Sequence, residues 1–194
     1  MSSWGASTSD ESKPKYLTDV EKRDCFANNT GWTVPAGGND NPAALRETLV
    51  TIGELSGGAT GTTKLAAATI SSIRLITTTL NASETGAFSA EVIYNEAVDI
   101  ATPNAFGDTV QITVTNSTGG NFVLDYNDGA VTGTNRLTFT ALVAAGTLVA
   151  EDDVLSIAAG NVTLAGTATI KDTGTVTDSG LAHGAAAGSV TVGA

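Results

Sequence analysis

The sequence predicts a mainly β protein, an antiparallel sandwich or barrel, and two observations carry that prediction. First, four runs between Phe88 and Leu142 alternate apolar and polar residues: Phe88, Ala90, Val92 and Tyr94; Val110, Ile112 and Val114; Phe122, Leu124 and Tyr126; Leu137, Phe139 and Ala141. A period of two turns one face of each strand inward and the other toward water. Second, clusters of Gly, Asn and Asp separate the runs, among them Asn127-Asp128-Gly129, whose Asp-Gly pair favours a tight turn.

Taken in order, residues 1–15 are small, polar and charged, and they read as an extended arm. Trp4 is the exception there, and an arm that docks on a partner needs such an anchor. Thr18-Asp19-Val20-Glu21 is a capping box, in which the Thr18 hydroxyl and the Glu21 carboxylate satisfy each other's backbone N–H groups. A weakly amphipathic helix is expected from there to about Asn28, ended by Asn28-Asn29-Thr30-Gly31. Trp32 and Val34 suggest a brief extended segment. Residues 36–42 read as a loop in which Asn41-Pro42 could open a helical turn, and Leu49 to Ile52 favours a strand.

The Gly/Thr/Ser stretch Ser56–Thr63 reads as a linker, so the expected division is a docking region over 1–60 and a β-domain over 64–194. In the β-domain, strands are expected at 72–79, 88–94, 97–100, 109–116, 121–126, 136–144, 154–157, 162–164, 167–170 and 189–192, with 180–188 as a flexible Gly-rich approach to the last.

Nine Lys/Arg against twenty Asp/Glu leave a net charge of −11. Residues 1–60 hold five basic and eight acidic residues (5 − 8 = −3), and 61–194 hold four and twelve (4 − 12 = −8). An acidic chain without a basic cluster argues against nucleic-acid binding. No run approaches the ~20 apolar residues of a membrane helix, and the start lacks the basic and apolar regions of a signal peptide. A soluble protein made in a cytoplasm is expected. Cys25 is the only cysteine, which excludes an intrachain disulfide.

Several segments resemble bacterial Ig-like repeats of adhesins and other large surface proteins. They are Tyr94-Asn95-Glu96-Ala97-Val98-Asp99, Gly133-Thr134-Asn135-Arg136-Leu137-Thr138-Phe139, Asp152-Asp153-Val154-Leu155-Ser156-Ile157, and Leu164 to Asp172 with its Gly166 turn before Thr169-Ile170-Lys171-Asp172. The resemblance covers about residues 70–194 and implies an Ig-like antiparallel β-sandwich. Thr173-Gly174-Thr175 replaces the usual tail of that pattern. The front of the chain, with Trp4-Gly5, Glu11 to Leu17, Lys22 to Ala27 and Gly31-Trp32, is similar to the opening of small virion proteins of marine tailed (cyanophage-like) phages.

Together these resemblances imply a virion structural protein, a capsid decoration or cement protein made in the host cytoplasm. Its partners would be the major capsid protein, other virion proteins or a second copy of itself, with no nucleic acid and no membrane. An adhesin-like tail or fibre module that binds host-surface carbohydrate is the alternative, with Phe106 as the loop-tip aromatic.

Trp4, Tyr16, Phe26 and Trp32 are the expected partner-binding anchors, four of the chain's ten aromatics in its first 60 residues. No enzyme is expected. His183, the only histidine, sits in a run of small residues and reads as a solvated loop residue, and Cys25 beside Phe26 reads as a small buried hydrophobe. Glu151-Asp152-Asp153 and Asp125 with Asp128 are the candidate Ca²⁺ ligands. Their spacing fits no EF-hand loop, so solvated acidic turns are preferred and no metal or cofactor is expected.

Overall fold

The computed structural model describes residues 13–14, 16–28, 30–35, 45–52, 55–56, 67–101, 106–173 and 176–194. Trp4, Lys15, the loop 36–42 with Asn41-Pro42, residues 57–63 of the expected linker and the turn 102–105 lie outside them. The described chain is a mainly β, antiparallel-rich β-sandwich with a single short helix. The element order is α1 (Asp19–Asp24), β1 (Phe26–Asn28), β2 (Gly31–Pro35), β3 (Arg46–Thr51), β4 (Ile70–Leu75), β5 (Leu80–Asn81), β6 (Gly86–Ala101), β7 (Thr109–Asn116), β8 (Phe122–Tyr126), β9 (Val131–Val143), β10 (Val154–Ser156), β11 (Gly160–Asn161), β12 (Thr163–Ala165), β13 (Thr169–Asp172), β14 (Ala182–His183) and β15 (Val190–Gly193).

The N-terminal helix is shorter than expected. It stops at Asp24, and Cys25 turns to extended backbone (φ −84, ψ 121). The next residues explain why. Cys25, Phe26 and Ala27 are all buried, and a helix of this length and amphipathicity cannot bury consecutive residues on every side. A strand with cover on both faces can. Asn28 therefore opens a hairpin instead of ending a helix: its Oδ1 accepts from the N–H groups of Thr30 and Gly31 at 2.8 and 3.1 Å. Gly31 stands at φ +134, and a Cβ there would lie 1.9 Å from the Val50 carbonyl oxygen. Glycine alone permits that approach of β2 to β3. Antiparallel pairing of β1 with β2 and β2 with β3 makes a three-stranded unit with its own small core of Leu17, Cys25, Ala27, Trp32 and Leu55. From Lys13 onward, then, the described part of the expected arm is folded.

In the sandwich, the hydrogen-bonded path runs β3-β2-β1-β6-β9-β8-β7-β10-β15-β5, with β4 and β13 also on β6 and β12 on β7. The runs expected at 88–94 and 97–100 are one continuous strand, β6. Its ladder with β9 takes five steps, from Ile93 to Val98, against two on the partner, from Arg136 to Thr134. Tyr94 to Ala97 therefore bulge out of register, which is how one strand can look like two in sequence. The bulge also frees β6 to meet β1, in a parallel pair of Ala27 with Glu96.

The alternating residues form the core as expected. Phe88, Ala90, Val92, Tyr94, Val110, Ile112, Val114, Leu124, Leu137 and Phe139 belong to one buried cluster with Phe122 and Tyr126, and Ala141 packs on its margin. Phe88 meets Phe122 edge-on, centroids 6.0 Å apart, and Tyr126 meets Phe139 at 5.9 Å. These are favourable aromatic geometries, worth about 0.5–1.5 kcal/mol per pair beyond the area buried. The Gly166 turn singled out in the sequence is pinned by Asp108, whose carboxylate accepts from the Thr167 N–H and, at 2.9 Å, from its hydroxyl.

Candidate functional site

The N-terminal unit is built so that its interior and its surface divide the four expected anchors. The helix cap forms as predicted: Glu21 Oε2 accepts from the Thr18 N–H at 2.8 Å, and the Glu21 N–H donates to the Thr18 hydroxyl at 3.3 Å. The Thr18 N–H and the Thr18 hydroxyl, which donates to the same oxygen at 2.7 Å, hold the exposed Glu21 carboxyl below its ordinary range. Lys13 is buried, and its Nζ donates to the Lys22 carbonyl oxygen at 3.0 Å near the C-terminal end of α1, where the helix dipole favours a cation. That bond ties the incoming chain to the unit.

Tyr16 and Val20 remain outside, 62% and 58% exposed, on either side of the capped helix start. Phe26 and Trp32 lie within. Trp32 is 1% exposed in the small core, and among the described residues its indole N–H meets no acceptor. Phe26 is covered by the Arg46 guanidinium, 3.8 Å from the ring centroid. Arg46 is locked in turn by Nε donating to the Thr33 hydroxyl and Nη2 donating to the Thr33 carbonyl, at 3.0 and 3.1 Å. Burial pushes the Cys25 thiol up to about 11, with Lys13 and Arg46 easing it slightly. Such a thiol is inert at neutral pH. Trp4 lies outside the described residues.

The unit also closes over one face of the sandwich. Glu91 and Ile93 point away from the main core yet are buried. Arg74 Nε pairs with Glu91 at 2.7 Å, and Arg136 bridges Glu91 to Asp24 at the end of α1. Glu96 and Asp172, fully buried, sit at the same seam. Sequence reading missed Glu91, Glu96, Asp172, Arg46 and Arg136. The one available signal was local: after Tyr94 the alternation fails through Asn95-Glu96-Ala97, as it does at a bulge.

The candidate metal ligands do not converge. Asp153 turns inward just beneath the surface, where its carboxylate accepts from Asn116 Nδ2 at 2.8 Å, from the Ala150 N–H at 2.9 Å and from the Thr118 hydroxyl. Glu151 and Asp152 stay exposed, and Asp125 accepts from Gln111 Nε2 across the strands at 2.7 Å. Among the described residues no cluster of three or more His, Cys, Asp or Glu is arranged to hold a metal. The Asp153 bonds hold its carboxyl below the ordinary 3.8. On acidification the unfolded chain therefore takes up the proton first, and the stability Asp153 contributes is present above about pH 4 and lost below it. Asp153→Asn should lower the melting temperature at neutral pH and flatten its fall between pH 5 and pH 2, measured by thermal melts across that range.

His183 is not the solvated loop residue expected. It is buried in β14, paired with Gly160, with Nδ1 2.8 Å from the Gly184 carbonyl oxygen. The small-residue run is itself ordered by that pairing and by the Ala186 N–H donating to the Ile157 carbonyl at 2.9 Å.

No protein-family model, curated protein or solved structure matches the chain.

Proposed function

We propose that the chain is a virion structural protein, a capsid decoration or cement protein that binds the capsid lattice through its N-terminal region and projects the sandwich outward. Its partners are the major capsid protein or neighbouring virion proteins. The observation that carries the docking half of this reading is the exposed pair Tyr16 and Val20, where residues 1–12 lead into a unit fastened to the sandwich. The virion half rests on the resemblance of the chain's opening to small phage virion proteins. Tyrosine is among the residues enriched in interface hot spots, and Val20 adds exposed apolar area at the same helix start. The preceding segment with Trp4 can extend the contact toward the roughly 1,000 Å² that a stable interface needs.

The test is re-addition to particles that lack the protein, followed by sedimentation. A double variant Tyr16→Ala/Val20→Ser, and a chain lacking residues 1–12, should each bind at least about thirtyfold more weakly, since one hot-spot anchor contributes about 2 kcal/mol or more. Removing residues 1–35 instead would delete α1, β1 and β2 and strip the seam, so it is the wrong truncation. Co-sedimentation of both variants at the level of the native chain would move the docking surface to the sandwich.

A second reading, an adhesin-like module for host-surface carbohydrate, is favoured by Phe106, which is fully exposed at its loop. Glycan binding that Phe106→Ala abolishes would establish it.

A further inference from the structure

We propose that the seam between the N-terminal unit and the sandwich is a proton-operated joint, in which Glu96, sealed beneath β1 beside Asp172, is protonated when the seam is closed and loosens it when ionised.

The geometry comes first. Glu96 lies in the β6 bulge at the single position where β1 pairs with β6. It has no exposed surface, and among the described residues neither of its oxygens has a well-formed hydrogen bond. An ionised carboxylate in such a place is far more costly than a neutral one. The second carboxylate adds to this. Asp172 pairs with Val98 on the neighbouring strand, is equally buried, and acts on Glu96 by like charge.

Among the described residues no basic side chain acts on Glu96. Ser56 presents only a hydroxyl, which eases the Glu96 charge slightly. Asp99, on β6 itself, accepts from the Gly133 N–H and the Thr173 hydroxyl at 2.8 and 2.7 Å. Tyr94 adds a buried hydroxyl, and from β9 the Asn135 amide donates to the Tyr94 carbonyl at 3.4 Å. Arg136 is engaged by Asp24 and Glu91, and Arg74 by Glu91. From the N-terminal unit, Lys13 and Arg46 act on the Cys25 thiol.

Burial and the Asp172 charge accordingly push Glu96 from 4.5 up to about 8, and burial and Asp99 push Asp172 from 3.8 up to about 6. The closed seam thus holds protons that an opened one releases. Its stability is fully present below the ordinary values of 3.8 and 4.5, falls as pH rises from there, and the loss is complete once pH passes the closed-state values of about 6 and 8.

The joint is independent of what the N-terminal unit docks on. Hydrogen exchange on the full chain tests it, corrected for the intrinsic rate and compared at one pH below 6 and one above 8. Amides of β1 and of residues 94–97 should lose at least about tenfold in protection at the higher pH, while β7 and β8 amides hold. In Glu96→Gln, and separately in Asp172→Asn, that pH dependence should shrink or vanish. If both variants misfold, a carboxyl-carbon NMR titration of Glu96 in the native chain decides, with a midpoint near 8 expected. Protection independent of pH, a Glu96 midpoint in the ordinary range, or restoration of protection above pH 8 by calcium would overturn the proposal; the last would make the seam a cation site.

Discussion

Phe139→Ala is expected to destabilise the sandwich severely, lowering stability by about 3–5 kcal/mol in chemical denaturation. The ring is fully buried at the centre of β9, pairs with Ala90 across β6, and packs against Tyr126. Truncation leaves a cavity that a β-ladder bonded on both edges cannot close, so the loss includes both transfer and cavity contributions. Thr138, one residue away, faces Glu91 on the opposite side and is partly exposed. Thr138→Ala should cost no more than about 1 kcal/mol. An unchanged denaturant slope in both variants would confirm that the folded core is what has been weakened. Equal losses at the two positions would refute the assignment of an inner face.

Trp32→Ala should be of similar size, about 3–5 kcal/mol, but expressed in a different place. Trp32 is the largest side chain of the small core, and among the described residues that core otherwise holds only Leu17, Cys25, Ala27 and Leu55, with Val34, Leu49, Val50 and Ile52 at the margin. So few neighbours cannot hold the unit once the indole is gone. Exchange protection should collapse over β1, β2 and β3, while the amides of β7, β8 and β9 keep theirs. A variant that instead loses protection everywhere at once would show that the unit and the sandwich unfold as one body. Because Trp32 is interior, any failure of Trp32→Ala to attach to a particle would report lost structure and not a lost contact. Tyr16 and Val20 are the substitutions that separate the two.

The parts of the fold that sequence made legible are those governed by local alternation. β7 spans the residues expected of it, and β8 and β9 differ by a few residues at their ends. What escaped was set by distant partners. Cys25-Phe26-Ala27 looks like the tail of a capped helix until Gly31-Trp32-Thr33 folds back on it. Phe26 and Trp32 look like docking anchors because the segment around them is polar, and the side chains that enclose them, Arg46 and Leu55, arrive later in the chain. Glu96 was hidden by the same bulge that made β6 look like two strands, since a carboxylate in an irregular stretch reads as a loop residue. Among the described candidate anchors, Tyr16 is the exposed one.

The position of β15 has a consequence for how the protein comes off the ribosome. Val190–Gly193 is inserted between β10 and β5, antiparallel to one and parallel to the other. Until those residues emerge, Leu80 and Leu155, both buried in the finished sandwich, border edges with no partner. From the time each of them is made until Val190–Gly193 follow, the nascent chain carries that exposed, strand-competent surface. Pairings this remote in sequence also form slowly, on the order of milliseconds to seconds. Crowded overexpression therefore places many such unfinished edges side by side, and aggregation in that interval would be a fault of timing in a protein whose completed fold is sound.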